Sequence, residues 1–199
     1  MNKKIQELFE TADIETKSGN FDKAIEAYEY VLKIPNVSEQ AIHLSYWGIG
    51  EIYLNNEQYD HAEHYLSLAV ELAPYESYYQ YLLGCTHTYK NNIDKAIYHL
   101  EQAVKLDDSI DIYWGQLGWV IGHNKDADKG IKHLKKALSI NPTHPASLRD
   151  LCMLYAKKEM FDEAIVCIEE ADKNDPDNEF IKNIRAQIEH FKSEFQRFK

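Results

Sequence analysis

Gly19-Asn20-Phe21-Asp22-Lys23-Ala24-Ile25-Glu26-Ala27-Tyr28 is the stretch whose reading decides the fold. Its Ala24 is the first rung of a ladder of small residues continued by Ala62, Ala96, Gly130 and Ala164, at intervals of 38, 34, 34 and 34. Self-similarity at such a period marks stacked supersecondary units. Four residues after each rung stands Tyr28, Leu66, Leu100, Leu134 or Ile168; seven after, Val31, Ala69, Ala103, Ala137 or Ala171; three before, Phe21, Tyr59, Ile93, Ala127 or Phe161. Spacings of three, four and seven gather side chains on one face of a helix. A polar turn precedes each copy: Gly19-Asn20, Glu57-Gln58, Asn91-Asn92, Lys125-Asp126 and Glu159-Met160.

Upstream of each rung lies a second helical register. It reads Tyr46, Ile49, Gly50 and Tyr53, then Gln80, Leu83, Gly84 and His87, then Trp114, Leu117, Gly118 and Ile121, then Leu148, Leu151, Cys152 and Tyr155. A weaker first copy is Leu8, Thr11, Ala12 and Glu15. A small third residue lets two helices approach closely. Pro35, Pro74, Pro142 and Pro176 follow the ladder helices, where a fixed φ and a missing N–H end one helix before the next. Pro145 falls in the first turn of a helix, where proline costs little.

These features resemble the tetratricopeptide repeat (TPR), with its 34-residue period, a first helix of the form W-x2-L-G-x2-Y and a second with A-x3-F/Y ending near proline. Trp114-x2-Leu117-Gly118 and the Gly19 to Tyr28 stretch carry the likeness most closely. The resemblance implies an all-α fold, a right-handed superhelical solenoid of about five TPR helical hairpins with a C-terminal capping helix. The expected repeats are 5–38, 43–76, 77–110, 111–144 and 145–178, with the cap over 178–198, in a single domain of 1–199.

Two departures stand out. The first interval carries four surplus residues around Ile34 to Ala41, so either that loop is longer or the next helix starts early. Past Pro176 the repeat stops, yet Ile181, Ile184, Ile188, Phe191 and Phe195 keep a spacing of three and four, with Phe198 beyond. A terminal repeat exposes an apolar face that must be covered. Capping is the leading reading of this stripe, and docking onto a second copy or a partner is the other.

In the family the first helices of successive hairpins line the concave side. By that register Trp47, Glu51, Tyr78, Tyr81, Tyr89, Trp119, His123 and Arg149 are the expected peptide-binding residues. Aromatic side chains give large contact area at small entropic cost, and Tyr and Trp bring hydrogen-bond donors. The same residue types at helical spacing also serve as packing between hairpins. Glycine inside a helix costs about 1 kcal/mol against alanine, so Gly115 and Gly122, flanking Trp119, imply close approach of a ligand or of a neighbouring backbone. The family's clamp for acidic C-terminal peptides wants Lys, Asn and Arg where this chain has Phe9, Asp13, Trp47 and Glu51, so that ligand is not expected.

With 22 basic against 33 acidic residues the net charge is −11. That sign speaks against nucleic acid and against an anionic membrane surface, and favours a basic partner if a charged one; the aromatic lining adds the expectation of an aromatic-rich protein or peptide segment. Cys85, Cys152 and Cys167 lack paired spacing, which suits free thiols in a reducing compartment. With no apolar signal core after Met1, a cytoplasmic location is the expectation. There is no phosphate loop, dinucleotide fingerprint or H-E-x-x-H order, and His99, His133 and Cys167, though at one repeat position, stand on separate hairpins. The expected role is therefore a non-enzymatic adaptor or scaffold without cofactor or metal. The alternative is a structural or oligomerising subunit, a homo-oligomer included, using the C-terminal helix or the convex face.

Overall fold

The structure is a computed structural model that describes residues 3–197; Phe198 lies outside them. The described residues form eleven α-helices and divide into two compact units between Leu106 and Asp107. Unit 1 holds α1 (Lys3–Lys17), α2 (Phe21–Leu32), α3 (Glu39–Asn55), α4 (Tyr59–Leu72), α5 (Ser77–Tyr89) and α6 (Ile93–Leu106). Unit 2 holds α7 (Asp111–Asn124), α8 (Ala127–Ile140), α9 (Pro145–Lys157), α10 (Phe161–Asn174) and α11 (Glu179–Arg197). Helices pair as hairpins, α1 with α2, α3 with α4 and α5 with α6 in the first unit, and α7 with α8 and α9 with α10 in the second. None of the described helices is long and apolar enough to cross a membrane.

Each ladder helix begins on the residue three before its rung, and every rung is buried. The facing residues of the first helices, Ile49, Leu83, Leu117 and Leu151, are buried as well. The small third residue does what its size allows. A Cβ on Gly50, Gly84 or Gly118 would come within 2.7, 2.7 and 2.8 Å of the Cγ of Leu66, Leu100 and Leu134. Each fully buried leucine contributes about 1.5–3 kcal/mol, so these interfaces are the main stabilising element.

The hairpin turns repeat one geometry. The N–H of Asn20, Gln58, Asn92, Asp126 and Met160 donates to the carbonyl of Glu15, Tyr53, His87, Ile121 and Tyr155 at 2.8, 2.9, 2.8, 2.9 and 2.9 Å. This is the six-to-one bond that closes a helix end. Gly19, Glu57, Asn91 and Glu159 supply the left-handed residue, with φ of 77°, 60°, 58° and 61°. In the fourth turn Asp126 instead caps α8, its carboxylate accepting from the N–H of Asp128 and Lys129. A lysine then ties each of three first-turn aspartates to a residue thirty later: Asp60 to Lys90 at 2.5 Å, Asp128 to Lys158, and Asp162 to Lys192 at 2.6 Å. Exposed pairs of this kind are screened by solvent and add little, so they trim the register and do not drive the packing.

The four surplus residues are resolved by α3, which starts at Glu39 under a Ser38 cap and is 17 residues long against 13 for α5. Its added first turn buries Ala41 with Ile5 and Val31. At the other end α11 packs on α9 and α10. Ile181, Ile184 and Ile188 are buried, and the Phe195 ring sits 5.5 Å from that of Phe161. Phe191 remains 53% exposed.

Candidate functional site

The expected peptide-binding residues fall on both units. Trp47 and Glu51 project from α3, and Tyr78, Tyr81 and Tyr89 from α5, all in unit 1. Because α3 and α5 are neighbouring first helices, Glu51, Tyr78, Tyr81 and Tyr89 come to line one open cleft of about 380 Å³. The Tyr78 hydroxyl donates to Glu51 Oε1 at 2.8 Å, which fixes the carboxylate at the cleft wall. Tyr78 stacks on Tyr81 with centroids 6.0 Å apart, and Tyr89 stacks on Tyr59 at 5.1 Å. Trp47 stands behind this wall, stacked on Tyr79 at 5.9 Å and edge-on to Tyr78 at 6.2 Å. Its indole N–H is buried without a hydrogen-bond partner.

The cleft is acidic, and its neutral groups resist ionisation. Burial pushes the Tyr81 hydroxyl above the usual tyrosine range, with Cys85 adding to the shift. Burial likewise pushes the Cys85 thiol up to about 12 although the Tyr81 hydroxyl hydrogen-bonds it. Glu51 and Glu57 are then the charged groups of the lining. Tyrosine faces beside carboxylates suit a guanidinium or ammonium group, through ring quadrupole and ion pairing together.

Unit 2 carries Trp119, His123 and Arg149. Trp119 stacks on His123 at 5.2 Å, and His123 Nδ1 lies 3.0 Å from the Trp119 carbonyl oxygen. Arg149 on α9 pairs with Asp150 at 3.0 Å. Asp150 is buried, and burial raises its carboxyl even though Arg149, His123 and His144 oppose the shift. Arg149 also borders an apolar groove of about 430 Å³ between α9 and α11. The flanking glycines meet protein: a Cβ on Gly115 would lie 2.5 Å from Ser147 Oγ, and one on Gly122 2.4 Å from Leu154 Cδ1 and 3.3 Å from Gly130 Cα. Of the two readings of these glycines, close approach within the unit is the one observed.

Sequence reasoning misses Tyr59, Glu57 and Asp150. By spacing, Tyr59 is only the first apolar position of a ladder helix, and its hydroxyl is the signal that it can do more than pack. Asp150 occupies the repeat position of Glu10, Gly48, Leu82 and Gln116, where polar residues recur, so no signal in the sequence sets it apart. The three residues at the shared second-helix position each find a partner in their own hairpin. His99 Nδ1 lies 2.8 Å from Gln80 Oε1, His133 stacks on Trp114 at 5.5 Å, and Cys167 interacts with Cys152.

The family model described as Iml2/Tetratricopeptide repeat protein 39 matches residues 6–116, and the model described as Tetratricopeptide repeat matches residues 123–188. No curated protein matches the chain. Among solved structures it is similar to the MamA protein at 24% identity, covering 87% of this chain and 92% of that one with a TM-score of 0.73. YrrB, described as a TPR protein with an unusual peptide-binding site, aligns at 19% identity over 90% of each chain with a TM-score of 0.69. The thermophilic TPR protein TTC0263 of Thermus thermophilus aligns at 19% over 92% of this chain and 98% of that one, with a TM-score of 0.67. At such identities the structural likeness shows the fold. With hairpins, turn geometry and family models in agreement, the chain belongs to the tetratricopeptide repeat family, whose fold is a non-enzymatic scaffold for protein–protein interaction.

Proposed function

We propose that the chain is an adaptor that holds an extended, basic segment of a partner polypeptide on unit 1, with an arginine or lysine of the partner in the α3/α5 cleft. The observation that carries this reading is the convergence of Glu51, Glu57 and four tyrosines, Tyr59, Tyr78, Tyr81 and Tyr89, on one cleft. Trp47 supports the site from behind by fixing Tyr78 and Tyr79. On unit 2, Trp119, His123 and Arg149 are proposed as peptide contacts of that unit, Arg149 for an acidic residue or carboxylate. The family and the peptide-binding description attached to YrrB are consistent with this mode.

Calorimetric titration with arginine-containing peptides tests it. Glu51→Gln is expected to weaken binding about ten-fold, the order of one charge-assisted hydrogen bond, and Tyr81→Ala by at least as much. Binding by either folded variant equal to that of the wild type would sink the proposal.

A second reading, self-association through α11, is favoured by Met153 at 52% and Phe191 at 53% exposure on either side of the apolar α9/α11 groove. Sedimentation would then give a concentration-dependent mass that Phe191→Glu abolishes. A monomeric mass at all concentrations removes it.

A further inference from the structure

Two of the three cysteines meet inside unit 2. Cys152 stands on α9 where earlier hairpins carry Gly50, Gly84 and Gly118, and Cys167 stands on α10 at the position of His99 and His133. Their thiols interact, Cys152 within the apolar core formed with Leu151, Leu154 and Ile168 and Cys167 packed against it. The two differ in access. Cys152 is 1% exposed, its sulfur 4.0 Å from the Ala164 carbonyl oxygen. Cys167 is half-buried and opens onto a cleft of about 600 Å³ also lined by Lys135, Tyr155 and Glu170.

The Lys135 ammonium lies 5.5 Å from the Tyr155 ring centroid and within electrostatic reach of Cys167. The hydrogen bond from Cys152, with help from Lys135, holds the Cys167 thiol below the ordinary cysteine range against burial and the nearby Glu170. Cys152 is pushed far up by that same hydrogen bond and by burial. An accessible thiol at a cleft, backed by a buried one beside it, is the arrangement of a reacting and a resolving cysteine.

We propose that Cys167 and Cys152 form a peroxide-responsive dithiol, Cys167 reacting with a hydroperoxide that enters the cleft and Cys152 resolving the product into a disulfide between α9 and α10. In the first step the Cys167 thiolate attacks one peroxide oxygen. The O–O bond breaks, the S–O bond of a sulfenic acid forms, and the second oxygen leaves as alcohol, or as water from hydrogen peroxide, carrying the proton that Cys167 gave up. In the second step the Cys152 sulfur attacks the Cys167 sulfur. The S–S bond forms, the S–O bond breaks, and the oxygen leaves as water with the Cys152 proton. The two thiols are oxidised by two electrons, and the peroxide is reduced to one alcohol and one water. The disulfide requires an S–S bond of about 2.05 Å, between two side chains that already interact across α9 and α10. Cys85 is an internal control, because it is buried in the other unit and its thiol is pushed up to about 12.

Intact-mass and peptide-mapping measurements on the reduced full-length chain, treated with hydrogen peroxide under native conditions, test the proposal. The expected product has lost two hydrogens, about 2 Da, with the crosslink mapped to Cys152–Cys167 and Cys85 still a free thiol. In Cys152→Ala, Cys167 should instead accumulate as sulfenic acid that dimedone traps. Should that variant not fold, the wild-type chain decides alone, with Cys167 expected to be consumed at least about ten-fold faster than Cys85. Equal consumption of the two, oxidation of Cys167 past sulfenic acid with Cys152 left free, or a disulfide between two chains would overturn it.

Discussion

Gly130 shows how a single residue is fixed by backbone and not by side-chain chemistry. In an isolated helix alanine beats glycine by about 1 kcal/mol. Here a Cβ would lie 2.3 Å from Gly122 Cα and 2.7 Å from the Gly118 carbonyl oxygen, atoms that move only if α7 moves. Overpacking of this kind costs about 1–3 kcal/mol, so Gly130→Ala is expected to lower the chain's denaturation midpoint, against the propensity trend; a midpoint that rises would contradict the packing. The ladder reveals that this position is small, since four of its five members are alanine. It cannot reveal why one of them is glycine, because periodicity names the face of a helix and not the atoms opposite it. The same limit hides the cleft: Glu51, Tyr78, Tyr81 and Tyr89 are legible from register, whereas Tyr59 joins them only through the packing of α4 beside α5.

Among elements, the α5/α6 hairpin carries a pH dependence. His87 and His99 stack at 5.4 Å, and Glu63, Lys90 and Lys95 face them from α4, from the end of α5 and from α6. Burial, with His87 and Lys95 adding to it, lowers His99 to about 4, and burial lowers His87. An unfolded histidine titrates near 6.5, so between about 6.5 and 4 the unfolded chain binds more protons than the folded one. Stability therefore falls as pH drops through that window. Denaturant midpoints measured across it should decline, and His99→Gln, which can still donate to Gln80, should flatten the decline. In α11 the apolar stripe is legible from its spacing, but its division into covered and open parts is not, because that depends on where α9 and α10 end. Ile181→Ala is expected to cost about 2–5 kcal/mol, and Phe191→Ala to stay within about 0.5 kcal/mol, both read from denaturation curves.

At the scale of the whole molecule, the net charge of −11 favours approach of a basic partner over an acidic one, as the proposed arginine-binding role requires. Affinity for an arginine-containing peptide should accordingly fall as salt is raised from about 0.05 to about 0.5 M, where the screening length shrinks to a few ångströms; a salt-independent affinity would assign the binding to apolar contact. The class of fold is the most legible property of the chain, because five copies of one pattern average out local irregularities such as the weak Leu8, Thr11, Ala12 and Glu15 register. The site is less so, since binding surfaces are the positions at which copies differ from one another. The added turn of α3 shows how such differences can be accommodated. Four residues advance a helix by about 400°, only some 40° beyond a full revolution, so Ala41 at the new end and Ile49 further along still point into protein. An insertion of two residues would have swung the new turn to the opposite side. A helix of this array can thus take on a whole extra turn at its start without turning its new side chains away from the core, while the rungs that follow, each on its own helix, are left as they were.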